Sequence, residues 1–273
     1  MADTDFHHDH IALALGEIRS TYGVEASVTS KDKRLIKWGY EPSSGSGSFE
    51  TVQTEGGTET LPTTNSITVL DSTSASDNGK TVTIEGHYLT ADGDLVFAIQ
   101  SPVCQGTTAT TLATPLARCS RMYLVDDGTV AAGTITVNAG EGGTVHNTIA
   151  VGESQSEKAA TSFSFRDWYI LTYVGASVLG GNNASVEFKI ESRTKGGTWR
   201  PLLRWALNAN QVSHHIPLQD PPLIIPANGE VRVRYNSGTA GTRISAYFGG
   251  YLAVDGQYRY WGTPGYPDLP PAA

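Results

Sequence analysis

Charge is what this sequence has least of. Lys, Arg, Asp and Glu make up 17% of its 273 residues, against about 25% in an ordinary soluble domain. A helical bundle or coiled coil needs abundant Glu, Lys and Leu, so the scarcity argues against both. Cysteine is nearly missing. Cys104 and Cys119 have fourteen residues between them, which is neither a C-x-x-C pair nor a disulfide framework for so long a chain. Both are expected to be reduced and buried, the alternative being one disulfide. No apolar run approaches the length of about 18 residues that suggests a membrane helix. The acidic start MADTDFHHDH lacks the cationic region of a secretory signal, so a chain made in the cytoplasm without a membrane partner is expected. Local catalytic motifs are missing too: no G-x-S-x-G, no H-E-x-x-H, no P-loop, and no G-x-G-x-x-G after a strand. A Ser-His-Asp triad needs no local motif, but the expectation is a protein that is not an enzyme and carries no cofactor.

What fills the space is Thr, Ser, Ala and 30 glycines, with 39% hydrophobic residues and a regular Val/Ile spacing. That combination gives an all-β protein of one large or two small domains. The net charge of −8 is unevenly placed: −3 over residues 1–50, −8 over 51–160, +3 over 161–255 and zero in the tail. A net of +3 spread over strands is too weak to suggest nucleic acid. An acidic and a mildly basic face can, however, orient a chain against a partner or a sister subunit.

Four regions separate along the chain. In residues 1–41, Ile11, Leu15, Ile18 and Tyr22 recur at helical spacing. Asp5 or Asp9 can cap the start, and Gly23 stands at the end. A basic segment running to Trp38 follows. Residues 42–65 open with Ser43-Ser44-Gly45-Ser46-Gly47-Ser48, a linker composition. Residues 66–152 hold short apolar runs (Ile67/Val69, Val82/Ile84, Leu95/Phe97/Ile99, Tyr123/Val125, Ile135/Val137, Val145/Ile149) punctuated by Asp-Gly and Gly-Gly turns. They predict a small antiparallel, immunoglobulin-like sandwich. Residues 153–255 alternate more strictly, as in Val186-Glu187-Phe188-Lys189-Ile190-Glu191. Eight strands near 161–165, 168–174, 184–191, 198–206, 212–216, 223–225, 230–235 and 243–253 predict a jelly-roll-like sandwich. Residues 256–273, with Tyr258, Tyr260, Trp261 and several prolines, read as an extended tail.

Few residues offer chemistry. His7, His8 and His10 stand among aspartates, but their spacing fits no metal motif, and a solvated terminus is the expectation. His214 and His215 fall in a strand and point to opposite faces. Asn183-Ala184-Ser185 is a formal sequon, expected to be a turn. Trp199 and Trp205 lie an even number of residues apart, so in an unbroken strand they would share a face on which a sugar could stack.

The runs ITVLDSTSASDNGKTVTIEG (67–86) and SVEFKIESRTKGGTWRPLLRW (185–205), followed by Pro221-Pro222-Leu223 and AYFGGYLAV, resemble β segments of tailed-bacteriophage virion structural proteins, especially those of marine and cyanobacterial phages. The resemblance covers residues 65–255 and is one of style and order rather than of a diagnostic motif. It implies a non-enzymatic virion component, foremost a capsid decoration protein that stabilises the head. A head-tail collar piece, a tail fibre or adaptor component, or a carbohydrate-binding module for host attachment is the alternative. The implied partners are the major capsid or neck and tail proteins, with a homotrimer as the favoured oligomer. The anchors expected on the arm are Ile11, Leu15, Ile18, Trp38 and Tyr40, with a second strip at Tyr258, Tyr260 and Trp261. Both ends could instead fold back on their own body.

Overall fold

The computed structural model describes residues 34–254, apart from 46, 126–127, 180–184, 209–213 and 219–222. The expected arm helix with Ile11, Leu15 and Ile18, the aromatic strip at Tyr258, Tyr260 and Trp261, the N-terminal histidines and Asn183 lie outside the described residues. Within them the regular structure is almost wholly strand. In chain order these are β1 (Arg34–Glu41), β2 (Glu50–Thr51), β3 (Ile67–Ser72), β4 (Val82–Leu89), β5 (Leu95–Gln100), β6 (Thr110–Leu116), β7 (Arg118–Leu124), β8 (Ile135–Asn138) and β9 (Val145–Ile149). Then follow β10 (Ala160–Ser162), β11 (Asp167–Leu179), β12 (Ser185–Thr194), β13 (Arg200–Asn208), β14 (His214–Pro217), β15 (Leu223–Ile225), β16 (Gly229–Ser237) and β17 (Arg243–Val254).

Strict alternation builds the larger pair of sheets. Along β12, Val186, Phe188 and Ile190 point into a core, while β16 contributes Val231, Val233 and Tyr235 to the same core. These strands belong to a sheet ordered β10-β16-β12-β13, with β2 pairing further along the edge of β16. The opposing sheet is ordered β1-β17-β11-β14, with β15 beside β14 on the edge of β11. It sends Tyr169, Leu171, Val174, Ala176, Ile244 and Phe248 into that core. With β2 and β10 counted as halves of one interrupted strand, and β14 and β15 as halves of another, eight antiparallel strands follow the double Greek-key order of a jelly roll.

The position of β1 corrects the sequence reading. Residues 34–41 are not part of an arm: they form an antiparallel edge strand, pairing Arg34 with Tyr251 through Glu41 with Ile244. The roll therefore takes its first strand from the other side of the 42–65 segment. That segment is not a free linker either. Ser44 N–H donates to Thr242 O at 2.9 Å, and Val52 N–H donates to Val233 O at 3.1 Å. Its serines and glycines follow a tight path along the roll rather than supplying slack.

The second pair of sheets is spliced into the roll. Val52 and Ala159, which flank it, are hydrogen-bonded to each other at 2.9 Å (Ala159 N–H to Val52 O). Between them lie a sheet ordered β6-β3-β8-β9 and a sheet ordered β5-β4-β7. Ile67, Leu70, Val82, Ile84, Leu112, Leu116, Met122, Ile135 and Val137 fill the space between the two. In an immunoglobulin domain the first, second, fourth and fifth strands share a sheet. Here the second, third and fifth (β4, β5 and β7) do, so the immunoglobulin-like expectation fails on connectivity. The reason is local: after β3, the turn at Ala75–Asp77 carries the chain across to the other sheet instead of back into a hairpin.

Asp77 holds that crossing. Fully buried, it accepts hydrogen bonds from Ser72 Oγ (2.6 Å), Lys80 Nζ (2.7 Å) and the N–H groups of Ala132 (2.8 Å) and Gly133 (2.9 Å). Burial alone would raise its pKa, but these four donors outweigh it and hold the carboxyl at about 2. Cys104 and Cys119 are both buried as free thiols, and burial pushes the Cys119 thiol up to about 11.

Candidate functional site

Three surfaces bear on function: the outer face of the β1-β17-β11-β14 sheet, the outer face of its partner sheet, and the junction with the spliced-in sandwich. On the first, alternation turns Ile36, Trp38 and Tyr40 of β1 away from the core, and register sets Trp38 beside Tyr247. Trp38 is 39% exposed, and its ring lies 6.3 Å from that of Tyr40 with the two planes 7° apart. Further across the sheet, Tyr173, His215 and Tyr247 form a triangle of rings with centroids 5.2–6.1 Å apart. His215 Nδ1 and the Tyr247 hydroxyl are 3.2 Å apart.

Glycine makes room for the rings on this face. A Cβ on Gly175 would stand 2.3 Å from the Tyr247 ring, and one on Gly249 would stand 2.1 Å from the Tyr173 ring. Each tyrosine therefore leans across a neighbouring strand where any side chain would displace it, the two ring planes standing 59° apart. The outcome is a broad aromatic surface that includes Trp38 and Tyr40, the two expected anchors among the described residues.

The partner sheet carries charge instead. Glu191 is ion-paired with Lys189 and lies 3.1 Å from Arg232. Lys189 Nζ sits 4.1 Å from the centroid of the Phe49 ring. This face is where Trp199 lies, its ring covered by the guanidiniums of Arg232 (3.9 Å) and Arg193 (4.5 Å). Trp205 is on the other side of the sheet, stacked on core Phe188 at 5.5 Å. The shared sugar face inferred from their even spacing does not form. Pairing of β12 with β13 slips between Ile190 and Glu191, where Ile190 faces Leu203 but Glu191 faces Pro201. One extra residue reverses the parity.

At the junction, ions are buried in numbers. Glu230 of β16 is ion-paired to Arg118 of β7 (2.5 Å) and also to Arg193 of β12. Lys158 pairs with Glu59 at 2.7 Å and donates to His146 O at 2.8 Å. Asn228, in the left-handed region at φ 55°, accepts from Leu95 N–H (2.8 Å) and donates to Asp94 (2.9 Å). Breaking a buried pair such as Arg118–Glu230 costs about 3–5 kcal/mol, so these contacts fix the two sandwiches together.

Between them a cleft of about 380 Å³ remains, bounded by β1, by the outer face of β5-β4-β7 and by β10. Lys37, His87 and Arg121 line it, with Glu85, Gln155 and Asp167. No local pattern in the sequence announces this group, which comes from segments far apart in the chain. Among the described residues, no three His, Cys, Asp or Glu side chains are grouped to hold a metal ion.

No protein-family model matches the chain, and no curated protein sequence does. Solved structures give remote likenesses. A chain of the infectious bursal disease virus Gx strain structure is 9% identical over 82% of this chain and 72% of its own, with a TM-score of 0.21. A chain of the Gt strain structure is 11% identical over 81% and 72%, with a TM-score of 0.19. At these scores neither defines the fold or the function of this protein.

Proposed function

We propose that this protein is a virion structural component that acts by docking, not by catalysis: a capsid decoration protein of a tailed phage, built of two domains that correspond to the two cores. The observation that carries this reading is the aromatic face of the β1-β17-β11-β14 sheet. Tyr173 and Tyr247 lean over glycines beside the exposed Trp38 and the half-buried Tyr40. Aromatic residues are enriched at protein interfaces, and clustered exposed rings mark interaction sites. The resemblance of residues 65–255 to phage virion proteins supplies the setting. The partners in this reading are capsid or neck subunits and two further copies of the chain. Both β1 and β17 lie in this sheet, so residues 1–33 and 255–273 join the body at the same sheet.

The test is the composition of purified particles. Hundreds of copies per particle are expected for decoration; six or twelve would move the protein to the neck, and its absence would sink the virion reading. Trp38→Ala combined with Tyr40→Ala is expected to lower incorporation while the protein stays folded, at a cost of about 0.5–3 kcal/mol for two part-buried, stacked rings. Incorporation at the normal level would remove this face from the interface. A deletion must stop at residue 33, because removing 34–41 also strips the roll of an edge strand.

A further inference from the structure

Lys37 is an anomaly in the junction cleft. Only 7% exposed, it donates a hydrogen bond to the Ser120 carbonyl, and no carboxylate among the described residues lies within ion-pair distance of it. Burial, then Lys158 and Arg121, lower its pKa to about 8 against an upward pull from Cys119 and Glu85, so the ammonium is still charged at neutral pH. An unpaired buried charge is costly, and such groups are ordinarily matched by an anion. His87 is a second under-satisfied group there, a neutral one. It is 4% exposed, its Nδ1 has no hydrogen-bond partner, and burial with Arg118 nearby keeps the imidazole neutral. Both side chains line the same cleft.

The other walls say what kind of anion fits. Glu85, Gln155 and Asp167 bring acceptors, which suit a ligand rich in hydroxyl groups. Phe97, 46% exposed and set edge-on to His87 at 5.4 Å, supplies an apolar surface for the C–H face of a ring. Arg121 is held 3.1 Å from Gln155 and 4.0 Å from Glu85, its side chain 45% exposed. The volume of about 380 Å³ falls in the range of small-ligand sites, which favour junctions between packed units.

We propose that this cleft binds a carboxylate-bearing sugar, a unit of the uronic-acid type. Its carboxylate pairs with the Lys37 ammonium and meets the His87 imidazole. Its hydroxyls are read by Glu85, Gln155 and Asp167, and one ring face rests on Phe97. The site is separate from Trp199 and Trp205, and it stands whether or not the protein resides in a virion.

The experiment is calorimetric titration of the full chain with sodium glucuronate, with methyl glucoside and sulfate as comparison arms. Saturable glucuronate binding is expected, with both comparison compounds weaker by about tenfold or more, a factor that corresponds to losing one charged hydrogen bond. Lys37→Met is expected to weaken glucuronate binding by about tenfold to a hundredfold without lowering the melting temperature, since it removes an unpaired buried charge. A second measurement avoids substitution altogether: saturating glucuronate is expected to raise the melting temperature of the unaltered protein, and methyl glucoside at the same concentration is not. Four results overturn the proposal: no heat or thermal stabilisation with glucuronate, equal affinity for methyl glucoside, equal affinity for sulfate, or full affinity in the Lys37→Met protein.

Discussion

The two cores of this chain are built from different materials. Phe163, Tyr169, Phe188, Tyr235 and Phe248 are buried in the roll, where the longest strands run nine to thirteen residues. The spliced-in sandwich has an aliphatic core of Ile, Leu, Val and Met with two thiols, between strands of four to eight residues. Long strands keep two sheets in register over enough length for large rings to interdigitate. Short strands cannot, and here a buried carboxylate, Asp77, ties the crossing between sheets with four hydrogen bonds. A small sandwich thus gains in directed polar contacts what it lacks in buried ring area.

That contrast can be broken most sharply by one substitution in each core. Phe248→Ala is expected to destabilise the roll by about 3–5 kcal/mol. Asp77→Ala, which strips the partner from two buried N–H groups and from Lys80, is expected to cost the smaller sandwich about 3 kcal/mol or more. Scanning calorimetry should show each change shifting a different transition. A single transition lowered equally by both would mean that the two cores are one cooperative unit.

The junction comes next. Arg118→Met leaves Glu230 with Arg193 alone and is expected to cost about 3 kcal/mol. It should separate the two melting transitions further. If they keep their spacing, the ions at the junction do not couple the cores.

Smaller effects come from pH, and they run in opposite directions in the two cores. Asp77 titrates at about 2 when folded against 3.8 when unfolded, so its contribution is present above pH 3.8 and lost as pH falls from there toward 2. Glu41, buried at the end of β1 with Oε2 unpartnered, is pushed up to about 7, by burial first and then by Glu50 and Glu55. The folded roll holds that proton where the unfolded chain has released it, so stability falls as pH rises from 4.5 to 7. Melting curves are expected to show the roll firmer at pH 5 than at pH 7.5, and the smaller sandwich weakening as pH falls below about 6.5, where the unfolded chain protonates His87 and the folded one does not, and further below pH 4 as Asp77 is protonated. Glu41→Gln should reduce the first trend, leaving the share of Glu157, and leave the second intact.

Much of the larger sandwich could be read from sequence because its alternation is clean. Val186 to Glu191 and Val231 to Tyr235 put apolar side chains on one face only, and each of the eight expected C-terminal strands exists. Where reading failed, the local pattern misleads. In β1 the positions facing inward hold Lys37 and Gly39, while Ile36, Trp38 and Tyr40 face out, so the strand looks like a basic arm ending in an aromatic. β6 contains Pro115, which normally demotes a strand; it is tolerated because β6 lies at a sheet edge. No signal in Trp199 or Trp205 reveals the slipped register between them. The cleft was hidden for another reason. Lys37, His87 and Arg121 meet only because a sandwich spliced into one strand of the roll packs back against another.

The pairing of Arg34 with Tyr251 bears on how the chain is made. β1 leaves the ribosome long before its only sheet neighbour among the described residues, β17. Pairings so distant in sequence are slow to form. The smaller sandwich, complete by residue 149, can collapse during synthesis, whereas the roll must wait, with its first strand unpaired, until β17 has emerged. Until then β1, with Ile36, Trp38 and Tyr40 exposed, is the segment most open to capture by a chaperone or a sister chain.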